Sequence, residues 1–459
     1  MKPKALHQLG VPKDPATTKT AGRAVSDASR QGMGPRQIKQ TLREVIADPD
    51  LFTEDPVFGR LAQALAVRRK NAISSGERDT PAPYTSWGTN LDANAVQQME
   101  NACRLPISLA GALLPDAHMG YGLPIGGVLA VNNAVIPYAV GVDIACRMRM
   151  SVLDMPPDTL DTHQQRFIQA LDKETRFGVG ASFSTPRKHK VLDEDWGFST
   201  VTRRVKDKAY AQLGTSGSGN HFAEFGLLTL DHDDLGLTAG TYLALLTHSG
   251  SRGPGNETAS HFSRLAMDLR PDLPRELRHL AWFEMDSAEG REYWEAMQLM
   301  GRFAAANHEL IHHYVTAHLG VDVLAMVENH HNFAWIEKHK GRDAVIHRKG
   351  ATPAWTDELG VIPGSMATPG FVVRGKGNPK SLHSASHGAG RVMSRKAAKK
   401  AFTWNQVSDL LRQSGVTVLA AGLDEAPMAY KDIHQVMAAQ TDLVNTIARF
   451  DPKLVRMDR

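Results

Sequence analysis

The pattern of apolar and polar positions changes character along the chain. Up to about Gly34 polar residues dominate, with Pro, Ser and Thr among them, and the segment reads as a loose tail. Pro35 then stands where a helix can begin, and Ile38, Leu42, Val45 and Ile46 follow at helical spacing. Gly76 to Trp87 reads as a linker. Beyond residue 88, Asp92 is placed to cap a helix with Val96, Met99 and Cys103 on one face, which makes Cys103 a small buried hydrophobe. Short β-type runs follow at Gly126–Val131, Ala134–Val140, Arg147–Leu153, Thr241–Thr247 and Val416–Ala421, broken by glycine-rich turns. Helical patterns fill residues 258–318, and there is no internal repeat and no strand–helix alternation with a dinucleotide fingerprint. Strands scattered among helices predict an α+β fold whose sheet elements carry the site. The expected division is a basic arm with a small helical segment over 1–80 and a larger domain over 81–459.

Composition narrows the classes. A chain of 459 residues, 42% hydrophobic and 22% charged, can bury a core, which excludes wholesale disorder and a disulfide-stapled miniprotein. No run of about 18 apolar residues predicts a membrane span. Met1–Ala5 is not followed by an apolar stretch of the signal-peptide kind. Two cysteines, Cys103 and Cys146, cannot build a disulfide framework and suit a reducing cytoplasm, the expected location. The net charge of +4 is small, but residues 1–70 hold 13 Lys/Arg against 7 Asp/Glu, a local balance of +6. That arm is either a solvated face or a contact for RNA or DNA.

Several short segments combine potential metal ligands with tightly turning glycines. They are Pro115–Gly120, Gly141–Cys146, Gly217–Phe222 and His248–Gly253, with Glu328–Asn332 breaking a helical stretch. Asp143, Cys146, His221, His248 and a histidine of the last segment make a mixed hard and soft donor set that suits Mn²⁺, Fe²⁺ or Zn²⁺, as one ion or two. A second constellation is electrostatic. Between Glu358 and Asp409 there is no acidic residue, yet Arg374, Lys376, Lys380, Arg391, Arg395, Lys396, Lys399 and Lys400 all fall there. The run also holds the turns Pro363–Met366 and Ser386–Arg391, whose backbone N–H groups with nearby cations are what a triphosphate requires. His387, inside the second turn, could form a covalent phosphoramidate.

His308-Glu309-Leu310-Ile311-His312 matches the zincin pattern, with His318 where a metzincin's third ligand would stand. Metzincins need a glycine at the position held here by Val315. On an unbroken helix His308 and His318 lie about 15 Å apart along the axis and cannot share an ion. This stretch is expected to be a core helix.

In order along the chain, these segments resemble the RtcB family of RNA-splicing ligases, over roughly residues 88–459. The resemblance implies an RtcB-like α+β fold and a ligase, acting in RNA repair or splicing, that joins RNA 3′-phosphate or 2′,3′-cyclic phosphate ends to 5′-hydroxyl ends using GTP and Mn²⁺. It implies metal ligation by Asp143, Cys146, His221, His248 and His331, with Cys146 bridging two ions, and His387 as the guanylylated nucleophile. It implies GTP contacts from Asn220, Phe222, Glu224, Asn332, Pro363, Gly364, Ser365, Met366, Gly388, Ala389, Gly390 and Arg456, with Tyr430 beside the guanine. Arg252, Arg391 and His330 would hold phosphates of nucleotide or RNA. An archease-like activator is a possible partner in such a family, and no membrane partner is implied. Four positions depart from the family pattern: Arg147 after Cys146, Ala367, Gly370, and Arg456 in place of a lysine. The departures leave two other readings open, a nucleotidyltransferase that caps RNA 3′-phosphates with guanylate and a non-catalytic RNA-binding paralogue.

Overall fold

The computed structural model describes residues 1–12, 15–74, 78 and 80–459, without the side chains of 69–74. The first segment departs from expectation. It is no loose tail but the helices Pro3–Gln8 and Pro15–Arg30, which join Pro35–Ala47 and Gly59–Ser74. Leu6, Ala21, Ala24, Val25, Ala28, Leu42 and Leu61 bury themselves in one apolar cluster drawn from residues 6–65. The stripe that looked polar is packed through alanines, whose small side chains let helices approach closely and whose helix propensity is high. The linker expected over Gly76–Trp87 lies partly outside the described residues, and its end, Tyr84–Ser86, is a strand parallel to 111–113.

Two sheets follow. A five-stranded one runs Tyr84–Ser86, Ser108–His118, Ile125–Val131, Arg342–Lys349, Asn332–His339. In the larger, eight-stranded sheet the order is Leu359–Ile362, Gly370–Gly375, Val444–Met457, Phe222–Leu230, Gly240–Ser249, Arg147–Leu153, Val323–His330, with Thr417–Ala420 added beside Val444–Met457. Its two end strands meet through the Asn329 side chain, whose Oδ1 accepts from Val361 N–H at 2.9 Å, so the sheet curls almost into a barrel. The α+β expectation holds, and so does the helix capped by Asp92, whose carboxylate accepts from Asn94 N–H at 2.7 Å. Cys103 is fully buried, its thiol pushed up to about 12 by burial.

Three expectations need correction. Ala134–Val140 is a two-residue strand followed by a helical turn, because Pro137 lacks the N–H a ladder needs. The helical region is two helices, Arg252–Leu269 and Ala288–Leu319, parted by a segment that contains Pro271 and Pro274. Glu328–Asn332 breaks no helix. The long helix has already stopped at Gly320 in left-handed backbone, and this segment ends one strand and begins another.

The Ala288–Leu319 helix runs unbroken, as expected, and its zincin-like histidines face the sheet. His308 Nδ1 and His312 Nε2 both contact the Thr247 hydroxyl, at 3.1 and 2.9 Å, and His312 Nδ1 contacts Ser151 Oγ at 2.8 Å. His318 pairs with Glu174 at 3.2 Å.

Candidate active site and metal centre

Four neighbouring strands of the large sheet deliver their donors to one end. Cys146 immediately precedes Arg147–Leu153, His221 precedes Phe222–Leu230, His248 lies at the end of Gly240–Ser249, and His331 follows Val323–His330. The register sets His248 between Met148 and Phe222, so the donors converge. Cys146 Sγ lies 3.0 Å from His248 Nε2 and 3.4 Å from His221 Nε2, while the Nε2 atoms of His248 and His331 are 3.2 Å apart. Asp143 Oδ2 meets His221 Nε2 at 2.9 Å, and its Oδ1 accepts from Ser251 N–H at 3.1 Å. A Cβ on Gly250 would stand 2.3 Å from Asp143 Oδ1, so only glycine leaves room for this carboxylate. Ala145, before the cysteine, takes left-handed backbone at φ 56° and donates to Asn332 O at 2.7 Å, which fixes the turn.

Burial and neighbouring charge set the protonation of these donors. Burial drives the Cys146 thiol well up and the charge of Asp143 adds to it. Burial pulls His248 down to about 3 and His331 well below the usual imidazole range. Burial alone would raise Asp143, but the hydrogen bond and charge of His221 hold it below the ordinary carboxylate value. The donor atoms of Cys146, His221 and His248 lie within 4.8 Å of one another. A thiol and imidazole nitrogens crowded together out of water are a donor set that fits a divalent transition metal.

The cluster opens into a cavity of about 800 Å³ that also receives His387 and the Pro363–Met366 and Gly388–Gly390 turns. His387 Nδ1 is 2.6 Å from Asp116 Oδ2, which also accepts from the His387 backbone N–H at 3.2 Å. Burial would raise the Asp116 carboxyl, yet the hydrogen bond and charge of His387 keep it below its ordinary value. The His387 and His331 rings are 4.9 Å apart. Asn220, Phe222, Glu224, Asn332 and Tyr430 line the same cavity. Glu224 is buried there, pushed up to about 8 by desolvation. Arg391 also lines it but is bound to Glu425 Oε2 at 3.0 Å and lies 5.1 Å from the Tyr430 ring centre.

Three expected site residues lie elsewhere. Strand alternation turns His330 away from the cavity onto Phe333 and Trp335, at ring distances of 5.1 and 5.0 Å. Arg252 sits behind the donors, its Nε 3.2 Å from Thr215 Oγ1. Arg456 is outward between Val455 and Met457, which do line the cavity, and it pairs with Asp172. Sequence reasoning overlooked two others. Asp116 had been passed over although its segment was singled out. Lys349 is a buried cavity residue whose Nζ donates to the carbonyls of Tyr121 and Tyr138, at 2.5 and 2.9 Å, and desolvation pulls it down to about 7. The run His347-Arg348-Lys349-Gly350, at a strand end before a glycine, was the available signal.

A family model described as tRNA-splicing ligase RtcB matches residues 98–198 and 194–458. The chain belongs to the RtcB family. It is 36% identical over 402 residues to the RNA-splicing ligase RtcB of Escherichia coli K12, covering 80% of this chain and 95% of that one. It is 31% identical to the tRNA-splicing ligase RtcB of Nanoarchaeum equitans, covering 78% and 90%. With the RNA-splicing ligase RtcB homolog 1 of Entamoeba dispar it shares 30% identity over 76% and 78% of the two chains. The helices Pro3–Gln8 to Gly59–Ser74 precede the RtcB match. Of the departures from the family pattern, Arg147 neither lines the cavity nor narrows it, because Glu328 draws its guanidinium away. Gly370 lines the cavity, and Ala367 packs into an apolar cluster with Met366 and Met457.

Proposed function

We propose that this chain is a GTP- and Mn²⁺-dependent RNA ligase that joins RNA 3′-phosphate or 2′,3′-cyclic phosphate ends to 5′-hydroxyl ends through a guanylylated His387. The observation that carries this reading is the shared cavity, in which an imidazole oriented by a buried carboxylate faces a Cys/His donor cluster. Asp143, Cys146, His221, His248 and His331 would hold the Mn²⁺, two ions on this reading. Bound there, they supply positive charge to the phosphoryl oxygens.

The chain's own residues account for the rest. Asp116 takes the Nδ1–H of His387, which leaves the Nε2 lone pair free. Nε2 attacks the α-phosphorus of GTP, a P–N bond forms, and the bond to pyrophosphate breaks. An RNA 3′-phosphate oxygen then attacks that phosphorus, and the imidazole leaves with its lone pair. A cyclic phosphate must first be hydrolysed to the 3′-phosphate. Attack of the 5′-hydroxyl on the activated RNA phosphorus releases GMP and seals the strand. Lys349, Arg395 and Lys396 line the cavity where phosphate charge develops. Glu224, once ionised, accepts from guanine N1–H and its amino group, which favours GTP over ATP, and Tyr430 packs beside the base. Residues 1–80 are proposed as a separate unit whose basic surface meets RNA, in a cytoplasmic protein that an archease-like partner could activate.

Labelled GTP with Mn²⁺ tests the reading. A covalent GMP adduct is expected in the wild type and not in His387→Ala, and added 3′-phosphate and 5′-hydroxyl RNA should be sealed. A wild type that forms no adduct would defeat it.

A further inference from the structure

One rim of the cavity is aromatic and exposed, and the reaction above gives it no task. Met119, Tyr121 and Tyr138 line it. Tyr121 is 66% exposed and Met119 58%. The Tyr121 ring centre lies 6.3 Å from Tyr138 and 5.9 Å from His279, and Tyr138 is 5.1 Å from His279. These are tilted and edge-on contacts, the arrangements in which rings brace one another. Neither tyrosine belongs to the apolar clusters of the interior.

The backbone beneath Tyr121 is pinned, and its ring is braced yet exposed. Gln98 holds Gly120 from both sides, donating to its carbonyl at 2.6 Å and accepting from its N–H at 3.0 Å. Gly122, at φ 70°, lies so close to the next segment that a Cβ would stand 2.7 Å from the His279 carbonyl oxygen. The Lys349 ammonium bridges the Tyr121 and Tyr138 carbonyls. Its chain neighbour Gly350 abuts the nucleophile: a Cβ there would be 3.1 Å from His387 Cε1. Contacts through Lys349 and Gly350 therefore connect the Tyr121 backbone to the surroundings of His387.

A flat ring held rigidly in solvent beside a phosphate-handling site suits a ligand with a π-face. Single-stranded RNA offers unstacked bases for this purpose, and guanine of GTP is already taken up by Glu224 and Tyr430. We infer that Tyr121, braced by Tyr138 and His279, is a stacking platform for the nucleobase next to the reacting RNA end. The inference rests on the reading of the chain as an RNA ligase.

The test uses the full chain, no GTP, and oligonucleotides carrying 2-aminopurine as the last base before a 3′-phosphate or the first base after a 5′-hydroxyl. Binding is expected to quench the fluorophore at one of these ends in the wild type and in Tyr121→Phe, and the end that responds identifies the strand. In Tyr121→Ala the quench disappears and affinity falls by about 5- to 150-fold, the range for one stacked base. An abasic nucleotide at that end should weaken the wild type as much and leave Tyr121→Ala unaffected. Wild-type affinity that ignores the abasic change, or a quench that survives in Tyr121→Ala, overturns the platform. A wild type that quenches yet forms no GMP adduct defeats the ligase reading and leaves the platform standing.

Discussion

Two groups of histidines sit back to back on one strand. On the cavity side His248 joins Cys146, His221 and His331; on the other side its neighbour Thr247 meets His308 and His312 of the long helix. Both groups are buried, and burial depresses His248 and His331 in one and His308 and His312 in the other. The difference is in what the nitrogens meet. The helix pair contacts the hydroxyls of Thr247 and Ser151, whereas in the cavity group the donor atoms face one another. A histidine motif on a helix can thus be a hydrogen-bonded core, while a thiol and three imidazoles from four separate strand ends make a donor set that fits a cation.

The sharpest way to break this contrast is to remove one member from each side. Cys146→Ala should weaken Mn²⁺ binding by more than about 100-fold and abolish the GMP adduct, as equilibrium dialysis and labelled GTP will show. His312→Ala should keep its metal and lose about 2–3 kcal/mol of stability in denaturant titration, because Ser151 and Thr247 lose a partner and a cavity opens. Metal loss in His312→Ala, or normal metal in Cys146→Ala, would erase the distinction.

Next in size is Asp116→Asn. His387 differs from the helix imidazoles in leaning on a carboxylate rather than a hydroxyl. Removing that charge should slow adduct formation by about 10²- to 10⁴-fold with metal content unchanged.

Glu224 gives a pH signature of intermediate size. Its folded value of about 8 exceeds the ordinary glutamate value of 4.5, so the folded state holds a proton that the unfolded chain releases. Stability from this group is therefore present at low pH and is lost as pH rises from about 4.5 to 8. Glu224→Gln should be more stable than the wild type at pH 8 and similar to it near pH 4, by thermal melts. If Glu224 accepts from guanine as proposed, wild-type GTP affinity should rise about tenfold from pH 7 to well above 8, and the Gln variant should not share that rise.

The smallest effect belongs to His318→Ala. Its pair with Glu174 is partly exposed, and losing it should change stability by no more than about 0.5 kcal/mol and metal binding not at all.

Much of the site was legible because its residues sit in short glycine-flanked segments whose order along the chain matters more than their mutual distance. Cys146, His221 and His248 each lie at a strand end, where local pattern already predicted a turn, whereas the segment of His331 read as a break in a helix. What local pattern could not give was the direction of a side chain in a strand entered at an unknown register. His330 and Arg456 are each one residue from a cavity position, and the alternation of the strand turns both away. Asp116 and Lys349 escaped notice for another reason. Their roles depend on contacts with His387, Tyr121 and Tyr138 more than two hundred residues away in sequence. The helix Pro15–Arg30 was missed because three alanines, a threonine and one valine supply its buried face, and no large hydrophobe announces it.

The seam closed by Asn329 separates two kinds of boundary in the large sheet. Among the described residues, parting any other neighbouring strands there would break a backbone ladder, while this join is closed by an amide-to-backbone bond worth about 1 kcal/mol and by Val327 and Val361 in one apolar cluster. The cylinder is thus a hoop with a clasp, and the clasp lies two residues from the histidine that links the donor cluster to His387.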